Sequence, residues 1–549
     1  MSSEITVGQA LIRLLEAHDV DTVFGIPGVH TAELYRGLAG SSIRHVTPRD
    51  EQDAGFMADG YARVSGKPGV CLLITGPGLT NAITPMAQAR ADSIPMLVIS
   101  GVNARHTLGL YRGHLHELPD QSATMRTIAL SSERLEQPGD LAELVGRAFA
   151  RMKSGRPGPV HIEIPTDLME ARFEGALHKS PAGTGPTTMD SNVGKIKAAA
   201  TLCAEARRPL ILAGGGANWA SNAISDFSRM LDAPVVTTTN ARGLLGRHPL
   251  AVQASPSLPP IRQLIADADL VIAIGTQFGP TDYDMYVDEG FEPPAKMIRI
   301  DIDPEAEVTS YPATLMLVGD AARIIAELTS ALHLLPQAPR EGGKERATAA
   351  KAVAYDFLSP KMQALTEVLD TIRDALPGSI IVGDSTQLAY AGNLFFDADG
   401  ARSWFNASTG YGALGFGPPA AVGASLAQTG VPVVCLVGDG GFQFCLGTLG
   451  TAADENAPVI FVVWNNHGYQ EIEDYMISRG IEPVGVRPTP PDFIKLAHAY
   501  GIPGERIRLT NEDNQEALHP GALDLTQLAG ALHRAHAIEG PALIEITTP

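Results

Sequence analysis

Short apolar runs that end in glycine-rich turns alternate with longer amphipathic stretches along the whole chain of 549 residues. This alternation is typical of βαβ units, in which a crossover helix joins two neighbouring strands of a parallel sheet. The predicted strands cover residues 70–74, 96–99, 160–164, 209–213, 234–238, 270–274, 297–302, 380–382, 431–437 and 459–464. The pattern therefore predicts an α/β fold built from doubly wound, mainly parallel sheets.

Two polar tracts divide these strands into three groups. Residues 180–191 read SPAGTGPTTMDS, a composition typical of a linker, and residues 335–350 read LPQAPREGGKERATAA. We therefore expect three domains, over residues 1–180, 190–335 and 355–549. The first and third share an apolar strand placed immediately before a glycine-rich turn. Such turns lie at the carboxyl ends of strands, where parallel sheets bind their ligands.

Composition and charge exclude several classes of protein. Against 61 Asp and Glu the chain carries 41 Lys and Arg, a net charge of −20, so we expect no nucleic-acid-binding surface. We find no run of about 18 uncharged apolar residues, and charged residues interrupt the early apolar stretch, so neither a membrane span nor a signal peptide is expected. The four cysteines lack the spacing of a disulfide framework or a zinc site. We expect a cytoplasmic globular protein.

A site for a cation and a phosphate is predicted where two strands of the third group end. The runs Gly438-Asp439-Gly440-Gly441 and Asn465-Asn466-His467-Gly468 each follow a predicted strand. Asp439, the Asn466 amide oxygen and the Gly468 carbonyl are hard oxygen ligands of the kind that suit Mg²⁺ shared with phosphate. The glycines of the first run let backbone N–H groups approach an anion at a helix start. Two tight turns without a metal are the alternative.

A GDG motif about two dozen residues before an NN pair resembles the thiamine diphosphate signature of the acetolactate synthase, pyruvate oxidase and 2-oxo acid decarboxylase superfamily. The resemblance implies a pyrimidine-binding first domain, a Rossmann-like central domain and a diphosphate-binding third domain. It also implies that Asp439, Asn466 and the Gly468 carbonyl hold Mg²⁺ against the cofactor's diphosphate. Active sites would then lie at the subunit interface of a homodimer or of a dimer of dimers, a homotetramer.

Residues 48–63, PRDEQDAGFMADGYAR, resemble the segment of this family that carries its catalytic glutamate. The carboxylate falls on Glu51, whose implied role is to hydrogen-bond N1′ of the aminopyrimidine so that the 4′-amino group can remove the C2 proton. A buried glutamate that shares a proton with a ring nitrogen suits this task. Asp50 stands where the family usually has histidine. The alternative is an exposed acidic helix start formed by Asp50, Glu51 and Asp53.

Further turns are assigned to the cofactor by the same resemblance. Residues 75–81, TGPGLTN, match the family's turn near the pyrimidine, and residues 410–417, GYGALGFG, match a loop of the third domain. In that loop the Gly412 carbonyl would accept a hydrogen bond from the 4′-amino group. Leu414 would be the apolar wedge beneath the thiazolium, although a core leucine is the alternative. The residues assigned to the cofactor are Pro27, Gly28, Gly76, Asn81, Gly412, Leu414, Gly438, Gly440 and Gly441.

Release of an aldehyde requires an acid that protonates the enamine, and imidazole titrates near neutrality. We rank His116 first and His114 second, because HLHE lies where decarboxylases of this family often carry histidine and acetolactate synthases carry glutamine before glutamate. His30 and His467 are further candidates. For each of them the alternative is a solvated or hydrogen-bonded histidine.

Residues 24–35, 115–121, 464–473 and 479–486 resemble the 5-guanidino-2-oxopentanoate (2-ketoarginine) decarboxylases of bacterial arginine catabolism. Such a substrate carries a guanidinium, which pairs best with a carboxylate. For each candidate carboxylate a helix-face or loop charge is the more common explanation. The candidate carboxylates are Glu117, Asp120, Glu471, Glu473 and Asp474.

We therefore expect non-oxidative decarboxylation of a 2-oxo acid to an aldehyde and CO₂ with thiamine diphosphate and Mg²⁺, 5-guanidino-2-oxopentanoate to 4-guanidinobutanal being the specific case. Two alternatives remain: a carboligase of the acetolactate synthase type that forms a 2-hydroxyketone, and a catalytically silent binding or regulatory subunit. Residues 212–217 and 274–279 of the central domain sit where some relatives bind FAD or an adenine nucleotide. Neither is a GxGxxG fingerprint, so a domain without a bound ligand is expected.

Overall fold

The computed structural model describes residues 5–177, 193–306, 311–509 and 518–548. Within these ranges the chain forms three six-stranded sheets in which every strand pairing is parallel. The prediction of an α/β fold with three parallel sheets is confirmed. The predicted linker at residues 180–191 lies outside the described residues. No helix in the described ranges has the length and apolar character needed to cross a bilayer.

The first sheet has the strand order β2-β1-β3-β4-β6-β5. Its strands are β1 (Thr22–Gly25), β2 (Arg44–Val46), β3 (Gly69–Leu73), β4 (Met96–Val102), β5 (Ser131–Arg134) and β6 (Pro159–Pro165). Its helices are α1 (Val7–Ala17), α2 (Ala32–Leu38), α3 (Glu51–Ser65), α4 (Pro77–Asn81), α5 (Ile83–Asp92), α6 (Gln121–Arg126), α7 (Leu141–Lys153) and α8 (Thr166–Met169). Alternate residues of β3 and β4 enter two different hydrophobic clusters, so both faces of the sheet are buried.

The central sheet has the order β12-β11-β10-β7-β8-β9. Its strands are β7 (Pro209–Ala213), β8 (Val235–Thr237), β9 (Ala251–Val252), β10 (Leu270–Ile274), β11 (Met297–Asp301) and β12 (Leu315–Val318). Its helices are α9 (Val193–Glu205), α10 (Ser221–Leu231), α11 (Pro259–Ala266), α12 (Pro280–Tyr283), α13 (Ala321–Leu332) and α14 (Gly343–Phe357). Helix α14 begins inside the second polar tract, and its Ala347 and Ala354 join a hydrophobic cluster of this domain. Part of that tract is therefore helix rather than linker.

The third sheet has the order β14-β13-β15-β16-β18-β17. Its strands are β13 (Ile380–Gly383), β14 (Trp404–Asn406), β15 (Val433–Gly438), β16 (Val459–Asn465), β17 (Gly504–Arg508) and β18 (Ala542–Thr547). Its helices are α15 (Pro360–Ala375), α16 (Gln387–Leu394), α17 (Gly417–Ala427), α18 (Asp439–Phe442), α19 (Thr448–Asp454), α20 (Gln470–Ser478), α21 (Phe493–Ala499) and α22 (Leu525–His536). Counted from its own first strand, this sheet has the same order as the first sheet.

Helices α3 and α17 join the first and third domains of the chain. Gly60 and Gly423 lie where the two helices touch: a Cβ on Gly60 would overlap the backbone of Ala420, and one on Gly423 would overlap the backbone of Met57. Glycine is therefore required at both positions. Around this contact a single hydrophobic cluster extends through residues of both domains. The two sheets that carry the predicted site residues thus share one core.

Candidate active site

The predicted metal ligands lie at the carboxyl ends of β15 and β16. Asp439 is the first residue of α18 and is 1% exposed, and its Oδ2 has no hydrogen-bond partner among the described residues. One terminal atom of the Asn466 amide lies 3.1 Å from Asp439 Oδ1 and 3.0 Å from the Gly468 carbonyl oxygen. The fold therefore brings together the three residues that sequence analysis assigned to a metal.

The orientation of the Asn466 amide decides whether these three groups are joined by hydrogen bonds or form a site for a cation. With its NH₂ group toward Asp439 and Gly468, the amide donates two hydrogen bonds. With its oxygen there, three oxygens converge without a proton between them, an arrangement that a hard cation stabilises. Burial raises the pKa of Asp439, and the backbone N–H of Asn466 opposes this effect. The donor set of one carboxylate, one amide and one carbonyl fits Mg²⁺ that also binds phosphate oxygens.

The glycines beside Asp439 are explained by close packing. A Cβ on Gly440 would overlap the Tyr469 ring, and a Cβ on Gly441 would lie 3.0 Å from Oδ1 of Asp384 and 3.8 Å from Cδ2 of Leu414. Leu414 is half-buried and thus lies against the turn that carries Asp439. The apolar wedge and the metal ligand of the predicted site are therefore neighbours.

Asp384 is a residue of this site that the sequence analysis missed. It is fully buried after β13, and its carboxylate accepts hydrogen bonds from the backbone N–H groups of Ser385 at 2.8 Å and Gly417 at 2.9 Å. Burial raises the pKa of Asp384 to about 6. The signal that could have identified it is its position in Gly383-Asp384, the same strand-end pair as Gly438-Asp439.

Glu51 is the first residue of α3, whose N-cap is Asp50: the Asp50 carboxylate accepts a 2.7 Å hydrogen bond from the Gln52 N–H. The Glu51 side chain lies against α4, where Nδ2 of Asn81 donates to its Oε2 at 3.0 Å. A Cβ on Gly78 would be 3.2 Å from Oε1. Glu51 is therefore both a first-turn acidic residue and a neighbour of the predicted pyrimidine turn.

His116 packs against the same turn. Gly76 has a φ of +68°, and a Cβ at this position would lie 2.5 Å from the His116 carbonyl oxygen and 2.9 Å from its Cβ. The rings of His116 and His30 meet edge to face with centroids 5.4 Å apart. Burial lowers the pKa of His30, and the neighbouring His116 adds to this effect. The fold thus places a pair of histidines beside the predicted pyrimidine turn.

Three buried polar atoms in this part of the first domain have no hydrogen-bond partner among the described residues. They are Nδ1 of His30, Nε2 of His114 and Oγ1 of Thr75. Buried polar groups in native proteins are nearly always satisfied, so each such atom calls for an explanation. A ligand with hydrogen-bonding groups would supply partners for them.

Gln121 is a second residue that sequence analysis did not assign to the site. Its Oε1 accepts the Gly76 N–H at 3.1 Å, and its Nε2 lies 3.0 Å from both the Gly101 carbonyl and Oε2 of the buried Glu163. These hydrogen bonds hold the Gln121 side chain in place, and Gln121 in turn fixes the position of the Gly76 turn.

Of the two residues of the first turn that were assigned to the cofactor, Pro27 is exposed. Gly28 packs on Ile74, so a Cβ on Gly28 would overlap the Ile74 side chain.

All five acidic candidates for a guanidinium partner already accept hydrogen bonds or form ion pairs within the protein, and the two hydrogen bonds of Glu117 both fall on one oxygen, Oε2. Glu473 is buried and pairs with Arg487 at 2.5 Å. Asp120 caps α6, and Glu117 accepts the backbone N–H groups of Gly113 and His114 through Oε2. The remaining contacts are those of Glu471 with Gln387 and of Asp474 with Gln470 and Lys361.

The glycine-rich turns of the central domain pack on each other. A Cβ on Gly214 would overlap the Gly275 carbonyl, and a Cβ on Gly216 would lie 2.9 Å from Cα of Gly275. This close approach accounts for the glycines of both turns without a nucleotide. The expectation of a central domain without a bound ligand stays a prediction.

Sequence profiles of known protein families match all three domains. The N-terminal TPP binding domain of thiamine pyrophosphate enzymes matches residues 5–124, the central domain matches residues 196–328, and the C-terminal TPP binding domain matches residues 384–546. The chain is a thiamine pyrophosphate enzyme. Thiamine pyrophosphate, also called thiamine diphosphate, is accordingly its cofactor. The resemblance to thiamine diphosphate enzymes that the sequence motifs indicated is confirmed.

Relatives of this thiamine pyrophosphate enzyme carry two kinds of name. A probable 2-ketoarginine decarboxylase, AruI, of Pseudomonas aeruginosa is 46% identical over 506 residues, which cover 90% of this chain and 88% of that protein. A probable acetolactate synthase large subunit of Methanocaldococcus jannaschii is 34% identical over 91% of this chain and 87% of its own length. The corresponding protein of Methanococcus aeolicus is 32% identical over 92% and 88%.

Proposed function

We propose that this thiamine pyrophosphate enzyme is a Mg²⁺-dependent 2-oxo acid decarboxylase that releases an aldehyde and CO₂. The observation that carries the proposal is the convergence of Asp439, Asn466 and Gly468 at the start of α18. A buried carboxylate at a helix N-terminus, with an amide and a carbonyl oxygen beside it, suits a divalent cation that also binds a diphosphate. The cofactor, when bound, supplies an electron sink for the loss of CO₂.

The residues of the first domain have a different task, which is to hold protons beside the pyrimidine turn. Glu51 faces this turn, and its hydrogen bond from Asn81 fixes the orientation of the carboxylate. A general acid or base acts only from a fixed position within hydrogen-bond reach of its partner. We assign to Glu51 the proton exchange with the aminopyrimidine. The Gly412 carbonyl and the Leu414 side chain hold the cofactor from the third domain.

A proton for the departing product comes from the histidines of the first domain. His116 contacts the Gly76 turn and the ring of His30, and His114 has an unsatisfied buried nitrogen. We assign the proton donor to His116, with His114 as the second candidate.

We further propose 5-guanidino-2-oxopentanoate as the substrate and 4-guanidinobutanal as the product. Support comes from the 46% identity to the probable 2-ketoarginine decarboxylase of P. aeruginosa. A guanidinium needs a carboxylate with a free acceptor oxygen. Glu117 suits this role, because both of its backbone hydrogen bonds fall on Oε2 and it lies next to His116.

The complete active site is proposed to form between two copies of the chain, in a homodimer or a homotetramer. Support comes from large apolar side chains that are exposed next to site residues of both halves, a property typical of interaction surfaces. These side chains are Val29, Leu110, Tyr111, Leu115, Tyr411, Phe444, Ile472 and Tyr475. We expect the protein in the cytoplasm, with no FAD in the central domain.

A carboligase is the second candidate, because two relatives with 32% and 34% identity over more than nine-tenths of the chain are probable acetolactate synthases. Mass spectrometry of the products from 2-ketoarginine, pyruvate and branched-chain oxo acids distinguishes the two functions. We expect 4-guanidinobutanal and CO₂ from 2-ketoarginine. A 2-hydroxyketone as the main product would contradict the decarboxylase, and binding of the cofactor without CO₂ release from any acid would favour a silent subunit.

A further inference from the structure

Asp92, the last residue of α5, joins all three domains of the chain. Its side chain is 2% exposed. Its carboxylate accepts hydrogen bonds from Arg63 at 2.6 Å and Gln88 at 2.7 Å in the first domain, and from Asn240 at 3.1 Å in the central domain. The fourth donor is the Thr409 hydroxyl of the third domain, at 2.7 Å. Such a fully used buried carboxylate fixes its donors relative to one another.

Thr409 belongs to the loop between β14 and α17, residues 407–416, which we call the cofactor loop. This loop carries Gly412 and Leu414, and Leu414 lies against the Gly441 turn beside the predicted metal ligand. The Gly412 backbone has a φ of +77°, so the loop makes a sharp turn at that residue. A shift of Thr409 would therefore be transmitted over three residues to the Gly412 carbonyl.

The two ends of the cofactor loop are fixed within the third domain, where Ala407 donates its N–H to the Gly383 carbonyl at 3.2 Å and Gly417 donates its N–H to Asp384 at 2.9 Å. The middle of the loop is held both within the third domain, where Gly412 donates its N–H to the Ala407 carbonyl at 3.1 Å and the Thr409 hydroxyl lies 3.3 Å from the Asn406 carbonyl, and by α5 of the first domain. Besides the bond between Thr409 and Asp92, the Ala413 N–H lies 3.3 Å from Oε1 of Gln88. Helix α5 thus holds the part of the loop that faces the cofactor site.

The charge of Asp92 is balanced by Arg63, which also pairs with Asp59 at 2.5 Å. The Arg63 guanidinium lies 5.3 Å from the ring centre of Phe405 and 5.5 Å from that of Phe416. Phe405 precedes the cofactor loop in β14, and Phe416 is the last residue of the loop. The ion pair and the loop are therefore packed as one buried unit.

We propose that Asp92 is a positioning residue, which sets the geometry of the Gly412 carbonyl and Leu414 through its hydrogen bond with Thr409. The inference rests on the proposed function, because it concerns the same cofactor loop. A hydrogen bond to an ionised carboxylate is among the stronger ones that a side chain makes. Its loss would leave the longer 3.3 Å contact of Ala413 with Gln88 as the remaining hydrogen bond described here between α5 and the middle of the loop, so the loop would be held less firmly.

The test compares Thr409→Val, which removes the hydroxyl at constant size, with Thr409→Ser, which keeps it. We expect Thr409→Val to bind thiamine diphosphate about tenfold more weakly in the presence of Mg²⁺, whereas Thr409→Ser stays close to wild type. Amide hydrogen exchange of the cofactor loop in the cofactor-free protein should be faster only in the valine variant. Asn240→Ala removes another donor of Asp92 and should lower the Tm without weakening cofactor affinity.

Equal cofactor affinity and equal loop exchange in wild type and Thr409→Val would overturn the inference, as would a serine variant that is as impaired as the valine variant. Failure of the wild-type protein to bind thiamine diphosphate would instead contradict the proposed function. The amide exchange is measured on protein without cofactor. It therefore reports the effect of the hydrogen bond between Asp92 and Thr409 on the loop independently of cofactor binding.

Discussion

Nδ2 of Asn81 donates a 3.0 Å hydrogen bond to Oε2 of Glu51, which links the end of α4 to the start of α3. The other carboxylate oxygen, Oε1, would lie 3.2 Å from a Cβ on Gly78. Any larger residue at position 78 would therefore press on the carboxylate. The hydrogen bond from Asn81 orients Glu51 beside the pyrimidine turn, as a proton-transfer group requires.

We expect Glu51→Gln to retain thiamine diphosphate affinity and to lose at least about 100-fold in kcat, because glutamine keeps the shape but cannot exchange a proton. Calorimetric titration and steady-state assays measure the two effects. Asp50→Asn is the matched control, since asparagine still caps α3 and only the neighbouring carboxylate is lost. Near-normal turnover of Glu51→Gln would refute the assigned role.

His116→Asn should lower kcat for aldehyde release by about 100-fold with little change in cofactor affinity, because the amide cannot act as an acid. Asparagine is chosen because residue 116 has a φ of +61°, a conformation that asparagine adopts more readily than most residues. The exposed His106 provides the control variant His106→Asn, which should be as active as wild type. An unchanged rate in His116→Asn would move the role to another residue.

Gly423→Ala should destabilise the contact between the first and third domains, because its Cβ would overlap the Met57 backbone. Backbone atoms cannot move aside as a flexible side chain can, so we expect a Tm lower by about 3 °C or more. Gly139→Ala places a Cβ where no atom lies within 4 Å and should leave the Tm unchanged. Equal Tm values for the two variants would show that α3 and α17 do not pack as described.

Stability should depend on pH through Asp53, which is 2% exposed and accepts a hydrogen bond from Thr448. Burial raises the pKa of Asp53 to about 7, against an ordinary value of about 4. The folded state then binds more protons than the unfolded state between these values, so the contribution of Asp53 to stability falls as the pH rises from about 4 to about 7.

Asp53→Asn removes the pH-dependent loss of stability, because asparagine does not titrate, and it keeps an oxygen that accepts the hydrogen bond from the Thr448 hydroxyl. The Tm of the variant relative to wild type should therefore increase from pH 5 to pH 8. Thermal unfolding of both proteins across this range measures the difference. A constant difference in Tm at every pH would mean that Asp53 titrates at its ordinary value in the folded protein.

Most inner strands of the three sheets were predictable because both of their faces are buried, so that they read as continuous apolar runs before glycine. The inner strands β1 and β18 were not identified. Polar edge strands carry no such signal. Ser131–Arg134 and Gly504–Arg508 form the edge strands β5 and β17, and the sequence analysis identified neither. Their pairing is set by the neighbouring strand, not by their own composition.

In the candidate site, too, some residues could be predicted from a local motif, whereas others are brought together only by the packing of distant segments. Asp439 and Asn466 follow adjacent strands, so their motif and spacing were enough to bring them together. Gln121 reaches the Gly76 turn from 45 residues away, and Thr409 is 317 residues from Asp92. Contacts of this kind depend on how helices pack, which a motif does not specify.

The central claim, that Asp439, Asn466 and the Gly468 carbonyl hold a cation against a diphosphate, is tested most directly by titrating thiamine diphosphate into the protein. The titration is made with Mg²⁺ and with a chelator, for wild type and for Asp439→Ala. We predict saturable binding to wild type that requires Mg²⁺, and no such binding to Asp439→Ala. Wild-type binding that is the same in the chelator, or Asp439→Ala binding as tight as wild type, would contradict the account.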